Sequence, residues 1–142
     1  MKKLILTLTV LASLAGVVMA ATYSSGYSKN LQVCNPYIEK YKVQIPTEDP
    51  NTPVLNLHST ETIVGWREGK CITTSMVHSD DLQQDIIETK CAFSKNQLDS
   101  IVKKIDLANK GDKNASQNLQ NELTGYAKDG TTCQVNNLIK ED

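Results

Sequence analysis

The chain has 142 residues, with 15 basic and 16 acidic side chains, a formal net charge of −1 and four cysteines. That near balance, spread along the chain, excludes the basic footprint of a nucleic-acid binder or of a reader of anionic membranes. There is no Cys-x-x-Cys pair for zinc or redox work and no Cys-x-x-Cys-His for haem, so the cysteines are expected to be structural.

Met1-Lys2-Lys3 precedes an uncharged apolar run and the small-residue stretch Val18-Met19-Ala20. This is the pattern of a secretory signal peptide over residues 1–20. The apolar run is about 15 residues, short of the roughly 20 that a spanning helix needs, which predicts cleavage and no stable membrane anchor. Cleavage would remove Lys2 and Lys3 and take the net charge to about −3. The expected location is the bacterial periplasm or the medium. An even number of cysteines in an exported chain implies two disulfides, each contributing about 2–4 kcal/mol, mainly by restricting the unfolded chain.

Residues 21–33 are small, polar and turn-rich and read as a flexible N-terminal tail. A single domain is expected over 34–135, followed by a polar tail at 136–142. Tyr37, Tyr41, Val43 and Ile45 alternate with Lys40, Lys42 and Gln44, the period-two pattern of a half-buried strand. Pro46, Pro50 and Pro53 then fall within eight residues. They remove ladder donors and fix φ, which predicts a stiffened, exposed loop. Long loops of this kind are frequent contact surfaces, although a variable insertion explains the composition more simply.

The stretch from Thr62 to Ile105 carries the strongest signals. Thr62 to Trp66 and Lys70 to Val77 read as strands joined at Arg67-Glu68-Gly69, with Gly69 placed for a left-handed residue after a type I turn. A third strand, Gln84 to Phe93, follows the polar turn at Ser79-Asp80-Asp81. If that hairpin is centred on Asp81, Cys71 lies opposite Cys91 at a separation a disulfide tolerates. The favoured pairing is then Cys71–Cys91 with Cys34–Cys133. A one-residue slip would send each cysteine elsewhere.

Ser94 and Gln97 form a capping box, Phe93 and Leu98 a hydrophobic staple. Leu98, Ile101, Val102 and Ile105 make the stripe of an amphipathic helix that ends near Gly111. A weaker helix is predicted from Asn114, with Leu119, Leu123 and Tyr126 on one face and a stop at Asp129-Gly130. Asn114-Ala115-Ser116 also fits a glycosylation acceptor. The fold class is α+β: a small antiparallel sheet of three to four strands, one strong helix, a weaker second helix and two disulfide braces.

No motif specifies an activity. His58 and His78 are the candidates for acid–base or metal work, and His78-Ser79-Asp80-Asp81 gathers imidazole, hydroxyl and carboxylates. The flanking sequence has no nucleophile elbow, and the spacing with Asp85 fits no EF-hand or zinc pattern. Trp66 beside a turn is either a packing residue or part of a contact surface. No cofactor and no metal site are expected.

Cys34-Asn35-Pro36-Tyr37, Gly65-Trp66-Arg67-Glu68-Gly69-Lys70-Cys71 and Cys91-Ala92-Phe93-Ser94-Lys95-Asn96-Gln97 together resemble a pattern in small exported bacterial proteins of uncharacterised function. The resemblance covers about Cys34 to Ile105. It implies export and brings no activity with it. The leading expectation is a non-enzymatic binding or interaction protein. Its protein partner would lie in the envelope or outside the cell, with Trp66, Pro46, Pro50 and Pro53 as the contact surface. The alternatives are a secreted inhibitor or effector acting through the proline loop, and a hydrolase or metal-dependent protein using His58 or His78.

Overall fold

A computed structural model describes residues 23–139, except Thr47 and Thr52 and the side chains of Val43, Ile45 and Pro46. The expected signal peptide lies outside the described residues. The elements run α1 (Ser25–Val33), β1 (Tyr37–Pro46), β2 (Val54–Arg67), β3 (Lys70–Ser79), β4 (Gln84–Phe93), α2 (Lys95–Asn109), α3 (Lys113–Asp129) and β5 (Cys133–Asn137). The strands form one five-stranded antiparallel sheet in the order β1-β2-β3-β4-β5. The α+β class with two disulfides is as expected, but there are more strands and an additional helix. Among the described residues no helix is long and apolar enough to cross a membrane.

The additional helix occupies the segment read as a flexible tail. Tyr23, Tyr27 and Leu31 recur every four residues and are all buried, and the Ser24 side chain caps the Tyr27 N–H. Short polar residues fill the positions between, which hides the stripe from a composition-based reading. Cys34 closes the helix in the left-handed region, its N–H on the Leu31 carbonyl.

Strand alternation then decides the layers. On β2 and β3 the odd-numbered residues are buried and the even-numbered ones partly exposed. The helices lie on the odd-numbered face. The capping box at Ser94 and Gln97 is present as expected, and Leu98, Ile101, Val102 and Ile105 are buried. Their burial stabilises by about 1.5–3 kcal/mol per side chain before entropy is counted. They pack with Ile63, Cys71, Phe93, Tyr27, Leu31 and Leu119 in one core cluster. A second cluster, Leu55, Leu57, Val77, Ile86 and Ile87, fills the other end of the same face. Val135 and Ile139 pack against it, and β5 runs on to Asn137.

The second helix starts one turn-residue earlier than expected, with Asp112 as its cap, and at 17 residues it is longer than α2. Gly125 weakens it only modestly, because its Leu119 face is buried against the core. The β2–β3 turn is a two-residue loop: Glu68 and Gly69 both have positive φ, with Arg67 paired to Lys70. That is the mirror-image turn that follows strand twist, in place of the type I turn plus left-handed glycine. Gly65, at φ 125°, allows the bulge beside Ile63. Pro46 closes β1 opposite Val54, so the proline loop begins after it.

The disulfide pairing differs from the one favoured on sequence. The bonds are Cys34–Cys71 and Cys91–Cys133. A bulge at Val77/His78 and a longer turn shift the β3–β4 register, so that Cys71 opposes Phe93 and Thr73 opposes Cys91. Cys91 instead lies opposite Cys133 on the fifth strand. Cys71 points toward the end of α1 and is met there by Cys34. Each bridge closes a loop of about 40 residues, a separation of 37 for one and 42 for the other. Chain-entropy arguments assign about 4 kcal/mol to such a loop. Non-reducing peptide mapping is therefore expected to return Cys34–Cys71 and Cys91–Cys133. Replacing Cys91 and Cys133 together by Ala should lower unfolding free energy by about 4 kcal/mol in denaturant titration.

Candidate functional site

The two core clusters are separated by a row of polar residues across the inner face of the sheet. Register places Glu39, Glu61, Ser75, Thr89 and Val135 side by side on the five consecutive strands. Glu61 is only 3% exposed. Its Oε1 accepts hydrogen bonds from Ser59 Oγ and Ser75 Oγ, both at 2.8 Å. Burial pushes the Glu61 carboxyl up to about 7, with Glu39 adding to the rise and the two serine hydroxyls opposing it.

Glu39 is held differently. Its carboxylate accepts from Ser24 Oγ at 2.5 Å, from Tyr37 OH at 3.2 Å, and from Tyr41 OH. These donors tie the start of α1 to β1. Burial and the nearby carboxyls push the Tyr23 and Tyr27 hydroxyls well above their usual value, and burial with the Glu39 bond does the same to Tyr41. All three are neutral donors at any physiological pH.

Between this row and the helices lies a cleft. Glu61, Thr73, Ser75 and Thr89 form its floor, with the Cys91–Cys133 bridge beside them. Tyr23, Tyr27, Leu31, Phe93 and Ile101 line the walls, and the partly exposed Leu123, Thr124, Ala127 and Val135 form the rim between α3 and β5. The Tyr23 and Tyr27 rings stack at 4.5 Å between centroids. The cavity volume is about 40 Å³, room for a few waters or a small head group at roughly 10–15 Å³ for each water centre. On α3, Glu122 braces the helix pair. Burial alone would raise its carboxyl, but bonds from Lys104, Tyr126 and Ser100 outweigh burial and hold it below the usual range.

The residues singled out by sequence lie elsewhere. His58 and His78 are cross-strand partners on the outer face, away from the cleft. Each is held by a carboxylate: His58 Nε2 lies 3.1 Å from Asp80 Oδ2, and His78 Nδ1 lies 3.0 Å from Asp85 Oδ1. Among the described residues no group of three or more His, Cys, Asp or Glu side chains is placed to hold a metal. Trp66 is 40% exposed, at the Cys34–Cys71 end, where its Nε1 donates to the Val33 carbonyl. Pro50 and Pro53 are exposed.

Sequence reasoning missed Glu61. The signal was available: Glu61 has the same parity as Leu55, Leu57 and Ile63, which puts a carboxylate on the buried face of its strand. Comparison of the chain with protein-family models, curated proteins and solved structures returns no match.

The raised Glu61 carboxyl has a definite sign in stability. The folded state holds this proton up to about pH 7, whereas the unfolded chain releases it near 4.5. The folded state therefore binds more protons between these values, and stability falls as pH rises through that window. The cost above pH 7 is about 3 kcal/mol. Glu61→Gln should flatten the profile and raise stability at pH 8, read by denaturant unfolding from pH 4 to pH 8. A profile unchanged by the substitution would contradict the buried-carboxyl assignment.

Proposed function

We propose that this is a non-enzymatic binding protein, acting in the periplasm or outside the cell, that takes a small molecule into the cleft between its sheet and its helices. One observation carries this reading. A concave site with apolar and aromatic walls converges on a few buried polar groups, the general form of a small-ligand site. The polar row also has a stability cost that packing alone does not explain, because an aliphatic residue at position 61 would join the two core clusters. Two disulfides support an oxidising compartment.

This moves the functional centre from the outer surface to the interior. A protein partner docking on Trp66, Pro50 and Pro53 is the second reading, supported by the exposure of those side chains. Chemistry at His58 or His78 has less support, since each ring is engaged by an exposed aspartate outside the cleft.

Protein purified from its own cell fraction is expected to release a small molecule on denaturation, detected by mass spectrometry. Ala127→Trp, which fills the rim, should abolish that release while leaving the unfolding midpoint within a few degrees of the parent. A parent protein that releases nothing, together with capture of a protein through Trp66, would favour the surface reading instead.

A further inference from the structure

We propose that the cleft recognises an organic cation, with a primary ammonium head on the Glu61 carboxylate and an apolar body leaving through the rim between α3 and β5. This rests on the reading of the cleft as a ligand site and adds the chemistry of its ligand. Three features set that chemistry.

The first is unanswered charge. Glu61 is buried, its two hydroxyl donors both meet Oε1, and neither Lys, Arg nor His lines the cleft. The second is the sign of the surroundings. Glu39 lies directly opposite Glu61 on the neighbouring strand, on the same inner face. An anionic head group would enter against two carboxyls; a cation would be drawn by both. The third is the wall. Tyr23, Tyr27 and Phe93 offer aromatic rings to the same space, and ring faces attract cations. A neutral alcohol would gain hydrogen bonds from the floor but neither charge pairing nor the cation–π contribution.

Size assigns the parts. The cavity of about 40 Å³ takes a head group, and Leu123, Ala127 and Val135 continue an apolar path outward for the body. Proton balance follows. In the free protein Glu61 holds a proton below about pH 7. An ammonium ion arrives already charged, so the carboxyl releases its proton to solvent on binding. The groups facing Glu61 are Glu39 and Tyr41 of β1, Tyr23 and Tyr27 at the start of α1, and Ser59 and Ser75. The tyrosines stay neutral throughout this range. Affinity should therefore rise up to about tenfold per pH unit below pH 7 and level off above it.

Hexylamine, 1-hexanol and hexanoate, of matched length, separate the possibilities in calorimetric and NMR titrations of the full protein at pH 8. Hexylamine is expected to shift the amides of Glu61, Thr89, Leu123 and Val135 and to bind at least tenfold more tightly than hexanol, with no binding by hexanoate. Glu61→Gln retains the shape and the acceptor for Ser59 and Ser75, and should weaken hexylamine at least tenfold without affecting hexanol. Hexanol or hexanoate matching hexylamine in the cleft, or hexylamine unaffected by Glu61→Gln, would overturn the cation assignment and leave the cleft as a ligand site. If none of the three shifts the lining residues, the ligand-site reading itself fails and the cation assignment falls with it.

Discussion

The packing of α2 across one face of the sheet is the contact on which the remaining arrangement depends. Leu98, Ile101, Val102 and Ile105 occupy the inner face where Ile63, Cys71 and Phe93 present their side chains. With α2 in place, α1 and α3 have lines to follow on either side. Ser28 Oγ ties α1 to Asp106 at 2.6 Å, and Glu122 ties α3 to Ser100 and Lys104. The helices contact one end of a sheet whose longest strand has 14 residues. Geometry then leaves a band of inner face between the helix-covered core and the second cluster, and the polar row lies in that band.

A polar row at this position is a compromise in energy. Hydroxyls of serine and threonine satisfy one another and the carboxyl at modest cost, because none of the buried side-chain polar atoms among the described residues lacks a partner. The carboxyl is different. It is hydrogen-bonded but has no cation, so its neutral form is favoured by the protein interior and its charged form is held at a free-energy cost. Glu39, its partner across the strand pair, is partly exposed and gathers three hydroxyl donors. Two carboxyls in neighbouring positions are thus set apart by their surroundings: one fastens α1 to β1, and the other lines the cleft.

Much of the framework could be read from the chain. Ser94 with Gln97 and the Leu98-Ile101-Val102-Ile105 stripe are local signals, and local signals survive tertiary context. The strand alternation at Tyr37 and Tyr41 is of the same kind. What the sequence concealed depends on register and long-range pairing. The β3–β4 turn and the bulge at Val77/His78 each move the register by one residue, which carries Cys91 two places along β3, and the disulfide pairing changes with it. The fifth strand has no propensity signal of its own in Cys-Gln-Val-Asn-Asn; it exists because β4 offers it an edge. Glu61 was concealed because it lies in a strand whose neighbours look unremarkable, while histidines, which draw attention by their chemistry, fall on the opposite face.

The position of β5 has a consequence for how the molecule is assembled. A chain made from its N-terminus completes four strands and three helices before Cys133 is available, and for that interval β4 is an open sheet edge. An unpaired edge is a template for a second copy of the chain. The cleft is also incomplete until then, because its rim includes Val135 and its floor is braced by the Cys91–Cys133 bridge. The fifth strand therefore caps the sheet against its own kind and gives the cavity its final wall. Both happen through one strand of five residues, fixed by a bond that only an oxidising environment keeps. Reduction of that bond would thus loosen the edge of β4 and the wall of the cleft at the same point in the structure.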